Sequence, residues 1–172
     1  QTPRSCSDGA GGAIVTWFDY RTGGYDVYAQ RVSRDGVPLW TADGVAVCTA
    51  TSTQCWSEIC ADGAGGAVIA WQDSRSGNYD IYVQRLNSSG APQWTANGVA
   101  LCTATNNQQG PRICADGTGG AIVAWTDYRG GADDDIYVRR INASGTVQWT
   151  ANGVALCALA NDQRATPLAV HW

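Results

Sequence analysis

Three loops in this sequence put an aspartate, an arginine and a second aspartate at fixed offsets, in the pattern D-x-R-x-G-x-x-D. They are Asp19, Arg21 and Asp26, then Asp73, Arg75 and Asp80, then Asp127, Arg129 and Asp135. The last loop has one extra residue, and Asp133 and Asp134 sit beside its second aspartate. A carboxylate next to a guanidinium can shape its own loop, through an Asx-turn and an Arg–carboxylate pair. It can also clamp sugar hydroxyls. Calcium would need six or more converging oxygens, and only Asp133, Asp134 and Asp135 begin such a set. A catalytic centre needs a unique constellation, whereas these groups are replicated by repetition and the single histidine is His171. Neither catalysis nor a cofactor is expected.

The loops must be carried by something equally repetitive. The stretch from Ala70 to Arg85, AWQDSRSGNYDIYVQR, echoes Thr16 to Arg31 and Ala124 to Arg140, at a period of fifty-four or fifty-five residues. Such a period marks a repeat architecture. Each copy opens with a short extended piece ending in an Asp-Gly turn, a strong hairpin signal. An apolar strand follows, Ala13 to Trp17, Ala67 to Trp71 and Ala121 to Trp125, whose near-continuous hydrophobicity predicts burial on both faces. After the polar loop comes an alternating strand, Asp26 to Val32, Asp80 to Leu86 and Asp135 to Ile141, with Tyr28, Tyr82 and Tyr137 at matching places. A fourth element carries Trp40, Trp94 or Trp149 and runs through G-V-A-[VL]-C. Four short strands per copy and no helical periodicity predict an all-β protein of three four-stranded repeats, at about 3–56, 57–110 and 111–165, in one domain 1–172. A partial strand at 166–172 ends the chain.

Six of the seven cysteines occupy repeat-equivalent positions: Cys6, Cys60 and Cys114 in one series, Cys48, Cys102 and Cys157 in the other. Metal sites would want CxxC pairs or nearby histidines, so this usage predicts disulfides and an oxidising compartment. One pairing joins successive repeats (Cys48 to Cys60, Cys102 to Cys114) and leaves Cys6 and Cys157 to close a ring or link neighbours. The other joins Cys6 to Cys48 within a repeat. The outer strands of a four-stranded meander lie ~14 Å apart, and a disulfide needs Cα atoms within about 7 Å, so the first pairing is favoured. Cys55 has no repeat mate, since Gln109 and Arg164 stand at its equivalents, and is a candidate intermolecular thiol. Asn87 and Asn142 head N-x-S sequons at matching turns and are candidate glycosylation sites. The repeat-equivalent tryptophans read as core between sheets, while Trp56 and Trp172 fall outside both series and are candidates for exposed contacts.

Composition narrows the classes. The net charge of −4 is carried by dispersed Asp and Arg, which excludes a basic nucleic-acid face. No apolar run is long enough to span a bilayer. A chain without methionine that starts at Gln1 is expected to be a processed, secreted or cell-surface product.

The repeat D-G-x-G-G-A-I-V-A-W-x-D-x-R-x-G-x-x-D-I-Y-x-Q-R resembles tandem repeats of bacterial secreted and cell-surface proteins that form β-propeller blades. The resemblance implies blade-like sheets and carries no particular activity. Propellers have four to eight blades, so three copies leave the alternatives of a β-trefoil-like closed unit, a six-bladed ring of two chains, or an open filament. The expected function is non-catalytic: a structural or adhesive extracellular protein that self-assembles through incomplete terminal repeats. The alternative is a lectin with one sugar site per repeat, built from the loop Asp and Arg and an aromatic. The expected partners are therefore further copies of the chain, or glycans.

Overall fold

The computed structural model describes residues 2–131 and 133–159. The expected partial strand at 166–172, with His171 and Trp172, and Arg164 lie outside the described residues. Those that are described form twelve strands and no helix. The first sheet contains β1 (Arg4–Ser7), β2 (Ala13–Asp19), β3 (Asp26–Val32) and β4 (Val45–Cys48). The second contains β5 (Gln54–Ala61), β6 (Ala67–Asp73), β7 (Asp80–Leu86) and β8 (Val99–Cys102). The third contains β9 (Gln108–Ala115), β10 (Ala121–Asp127), β11 (Asp135–Ile141) and β12 (Val154–Cys157).

Each sheet is an antiparallel meander in chain order. The protein is thus all-β, with one four-stranded sheet per repeat, which is the blade arrangement. The strands β1, β5 and β9 lie side by side along the inner edge of a fan, and each blade stacks its face on the next. Glu58, the one glutamate, sits on β5 between two arginines at the equivalent inner positions: Arg4 Nε donates to it at 3.0 Å, and Arg112 pairs with it from β9.

The third strands occupy the residues the alternation predicts. Two expectations change. The tryptophans Trp40, Trp94 and Trp149 lie outside the fourth strands, in the loops that precede them. The sheets of the second and third blades begin at Gln54 and Gln108, ahead of the repeat boundaries at 57 and 111, because β5 and β9 each continue past a bulge.

Asp-Gly turns close every β1–β2-type hairpin by one device. Asp8 Oδ1 accepts the N–H groups of Ala10 and Gly12, each at 2.8 Å, and its other oxygen accepts from Arg31 Nε at 3.0 Å. Asp62 with Arg85 and Asp116 with Arg140 repeat the pair. The Ala10 N–H first, then Arg31, holds the Asp8 carboxyl below the ordinary carboxylate range. At Asp116 burial works to raise the value, but the Thr118 N–H and Arg140 outweigh it and the carboxyl lies well below that range. A depressed folded pKa stabilises the fold fully above the unfolded value of about 3.9, and that contribution vanishes as pH falls through the folded value. Asp80, which burial raises, works in the opposite sense. The melting temperature is therefore expected to fall with acidification below about pH 4, with a shallower acid limb in Asp116→Asn. Thermal melts across pH check both.

Candidate functional site

One joint is built twice inside the chain, and the D-x-R loops are part of it. In the middle blade Asp73 is wholly buried. It accepts from Trp71 Nε1 at 2.9 Å and from the N–H and Nε of Arg75 at 3.0 and 2.9 Å. The Arg75 guanidinium lies 4.0 Å above the Tyr82 ring, and its Nη2 donates to Asn97 O at 2.9 Å and to Cys48 Sγ of the preceding blade at 3.1 Å. Cys48 therefore reaches the next blade's arginine rather than another thiol. The Asn97 side chain accepts from the Thr49 N–H at 3.0 Å. At the far corner Trp40 lies over Gly90, and both its Nε1 and Arg31 Nη1 donate to Ser88 O, at 3.1 and 3.2 Å.

The joint between the second and third blades has the same parts. Asp127 is buried and accepts from Trp125 at 2.8 Å, and Arg129 lies 3.7 Å above Tyr137. Cys102 meets Arg129 at 3.5 Å, and Thr103 N–H donates to Asn152 at 3.1 Å. Trp94 lies over Gly145 and donates to Ala143 O at 3.2 Å. The cores of the joints match as well: Ile14, Val27, Ala29 and Val47 pack on Ala67, Ile69, Trp71 and Leu86, while Val68, Ile81, Val83 and Leu101 pack on Ala121, Val123, Trp125 and Ile141.

The structure thus brings Asp19 to Arg21, Asp73 to Arg75 and Asp127 to Arg129, but leaves each loop's second aspartate out of the pair. Asp80 accepts from Ser76 and Asn78 within its own loop, at 2.6 and 3.1 Å, and Asp26 pairs with Thr22. The carboxylates Asp133, Asp134 and Asp135 do not form a calcium set: no group of three or more metal-ligating side chains converges among the described residues. Consecutive residues entering a strand point to opposite faces, which separates them.

All seven cysteines are free thiols. The pairing of Cys48 with Cys60 is not made, for a geometric reason. Cys48 sits at the Asp73 end of β6 and Cys60 opposite Val68, five residues along, or roughly 17 Å at ~3.3 Å per residue. Cys102 and Cys114 are separated in the same way along β10. Burial raises the thiols of Cys48 and Cys102 to about 11, and that of Cys60 to about 12, with Cys6 and Cys114 nearby adding to the latter. Cys6 is likewise raised to about 11 by burial, and Cys157 is half-buried. Cys55 is not offered to another molecule: it is buried, with its thiol between Gln72 and Tyr79. A thiol-reactive aryl disulfide is expected to label exposed Cys114 first and Cys48 and Cys102 on the order of a hundredfold more slowly. Equal rates, read by mass spectrometry of digests, would contradict the burial described.

The sequon asparagines have a structural task. Asn87 Oδ1 accepts from the N–H groups of Ser89 and Ala91 at 3.0 and 2.9 Å, and Asn142 does the same for Ser144 and Thr146. Ser33 shapes the first blade's turn with its hydroxyl, so the turn, with or without a sequon, accounts for these positions.

What sequence reading missed is the Asx-Gly element Asp43, Asn97 and Asn152, whose residues adopt φ of 64°, 61° and 57°. Its signal was present as a repeated A-[DN]-G-V before each fourth strand.

At the two ends of the fan the joint is half made. The same strand shows this directly: β6 is buried at all seven positions, β2 alternates starting half-buried, and β10 alternates starting buried. The first blade leaves Val15, Trp17, Arg21 and Asp43 uncovered, the last three beside a cavity of about 660 Å³. The third leaves Ile122, Ala124, Val138 and Trp149 uncovered, with Leu156 63% exposed where Val47 and Leu101 are buried.

No protein family matches the chain, and no curated protein matches it either. Among the described residues no helix is long and apolar enough to cross a membrane.

Proposed function

We propose that this chain is a non-catalytic repeat module that assembles copies of itself, blade against blade, as a structural or adhesive component outside the cell. One observation carries the reading: equivalent strands in the end blades are buried in opposite phase, so the two uncovered faces are the two halves of a joint the chain already builds twice. Placed on the first blade of a second copy, Cys157 would meet Arg21 as Cys48 meets Arg75. The Ala158 N–H would meet Asp43 as Thr49 meets Asn97. Trp149 would lie over Gly36 as Trp40 lies over Gly90. Such an interface is heterologous, and it gives a ring where the rotation closes and a filament where it does not.

A lectin with one site per repeat would need the loop aspartates and arginines, and in all three blades these are occupied by internal bonds. The placement outside the cell rests on the likeness of the repeat to those of secreted proteins. Light scattering over a range of concentrations tests the assembly. Particles of several times 18.1 kDa that grow with concentration are expected. A species of one-copy mass at all concentrations, with both faces covered by the chain's own residues 160–172, would reject it.

A further inference from the structure

The two joints differ at one place, on the side where the D-x-R loops lie. Between the first and second blades that corner is filled by aromatic rings. Phe18 packs edge-on against Tyr25 at 5.6 Å and against Trp56 at 6.4 Å. Between the second and third blades the equivalents of Phe18 and Trp56 are Gln72 and Gly110. Two of the three rings are gone, with Tyr79 standing where Tyr25 was, and a cleft of about 510 Å³ stands open.

The cleft is lined by three aromatic rings, Trp56, Tyr79 and Tyr128, and by Gln72, Gln109 and Asp134. Trp56 forms one wall and is 54% exposed. Its placement is costly for the backbone. It occupies the bulge of β5 with φ of 54°, the left-handed region, where a bulky residue is a genuine outlier. The third blade puts Gly110 at the equivalent bulge with φ of 60°, the residue that this conformation favours. A bulge re-aims a side chain, and strain held at a surface ring points to a contact that uses it.

The chemistry of the lining selects the ligand. An open indole face stacks on an apolar face of a sugar ring, and the Tyr79 and Tyr128 rings flank it in the same cleft. Planar amides and a carboxylate satisfy adjacent hydroxyls with directional hydrogen bonds. The Gly110 N–H already fixes Gln72 by donating to its Oε1 at 3.2 Å. Among the described residues Asp134 is the only charged one in the lining, which disfavours anionic sugars. A quaternary ammonium would use the rings and the carboxylate but leave both amides without a role. The volume is within the range of small-ligand sites.

We propose that this cleft, which the joint between the first two blades lacks and which is independent of assembly, binds a neutral pyranose, with Trp56 as the stacking platform and Gln72, Gln109 and Asp134 as hydroxyl partners.

The test is titration of the full chain with D-glucose, D-galactose, D-mannose and N-acetyl-D-glucosamine, alongside N-acetylneuraminic acid and choline. The indole N–H signal of Trp56 by NMR is the readout. At least one neutral sugar is expected to shift that signal with a Kd on the order of 1 mM. Trp56→Ala and Asp134→Asn should each weaken the binding about tenfold, read for Trp56→Ala on the Gln72 amide signals. Gly110→Trp rebuilds the filled corner of the other joint. An added Cβ there meets nothing within 4 Å, but the left-handed backbone strains any side chain, so this variant should melt a few degrees lower, stay folded and lose the sugar. No shift with any of the four sugars would overturn the proposal. So would a response to choline or N-acetylneuraminic acid alone, or sugar binding that survives both Trp56→Ala and Gly110→Trp.

Discussion

Leu156→Asp is expected to leave a folded chain that stays at the mass of one copy, 18.1 kDa, at concentrations where the parent forms larger particles. The equivalents of Leu156 inside the chain are Val47, 3% exposed, and Leu101, which is wholly buried, each inserted into the following blade. Burying a leucine contributes about 1.5–3 kcal/mol. Placing an unpaired carboxylate in the same spot adds a desolvation penalty of similar or greater size. Together they amount to at least about a hundredfold in affinity. Because Leu156 is exposed within its own chain, the fold should not notice. Leu101→Asp makes the same change at a joint already closed and should unfold the protein, costing about 4 kcal/mol or more. Trp56→Ala lies away from both end faces and should leave the mass unchanged. If Leu156→Asp assembles like the parent, the copies meet through some other surface and the blade-on-blade reading is wrong.

Gly98→Ala should destabilise the chain by about 3 kcal/mol, a drop of roughly 10 °C in melting temperature for a domain of this size. Gly98 has φ of 90°, and a Cβ on it would stand 2.4 Å from Trp71 Cη2 and 2.9 Å from Val83 O. Trp71 is wholly buried between two blades and hydrogen-bonded to Asp73, so it has nowhere to go. Gly44 is the first blade's equivalent, with φ of 89° and nearly the same contacts, 2.6 Å to Trp17 and 2.9 Å to Ala29 O. Trp17, however, lies on the uncovered face and can shift outward. Gly44→Ala should therefore cost less, about 1–2 kcal/mol, from the positive φ and the contact with Ala29 O but without a trapped indole. Circular-dichroism melts of the two variants at low concentration make the comparison. Equal losses would mean that Trp17 is held as firmly as Trp71, and the first blade's face is not free.

The contrast between those two glycines marks the division between sequence and structure in this protein. Strand identity was legible because it is local. The alternation from Asp80 to Leu86, the Asp-Gly turns and the fifty-four-residue period are properties of neighbouring residues, and β3, β7 and β11 occupy the positions they predict. The tight pairing of Asp73 with Arg75 was legible too, since two residues apart at a strand end they can hardly avoid each other. Nothing local separates Trp17 from Trp71 or Leu156 from Leu101. Each pair has the same residue in the same repeat context, and only the stacking of blades decides which one is covered. The cysteines show the same limit. Their matched spacing suggested bridges, but spacing along the chain does not report that Cys48 and Cys60 fall beside opposite ends of β6. The cleft beside Trp56 is likewise a product of tertiary structure: Gln72 and Gly110 look like ordinary drift in a repeat until two blades are set against each other and the space left by the missing rings stands open.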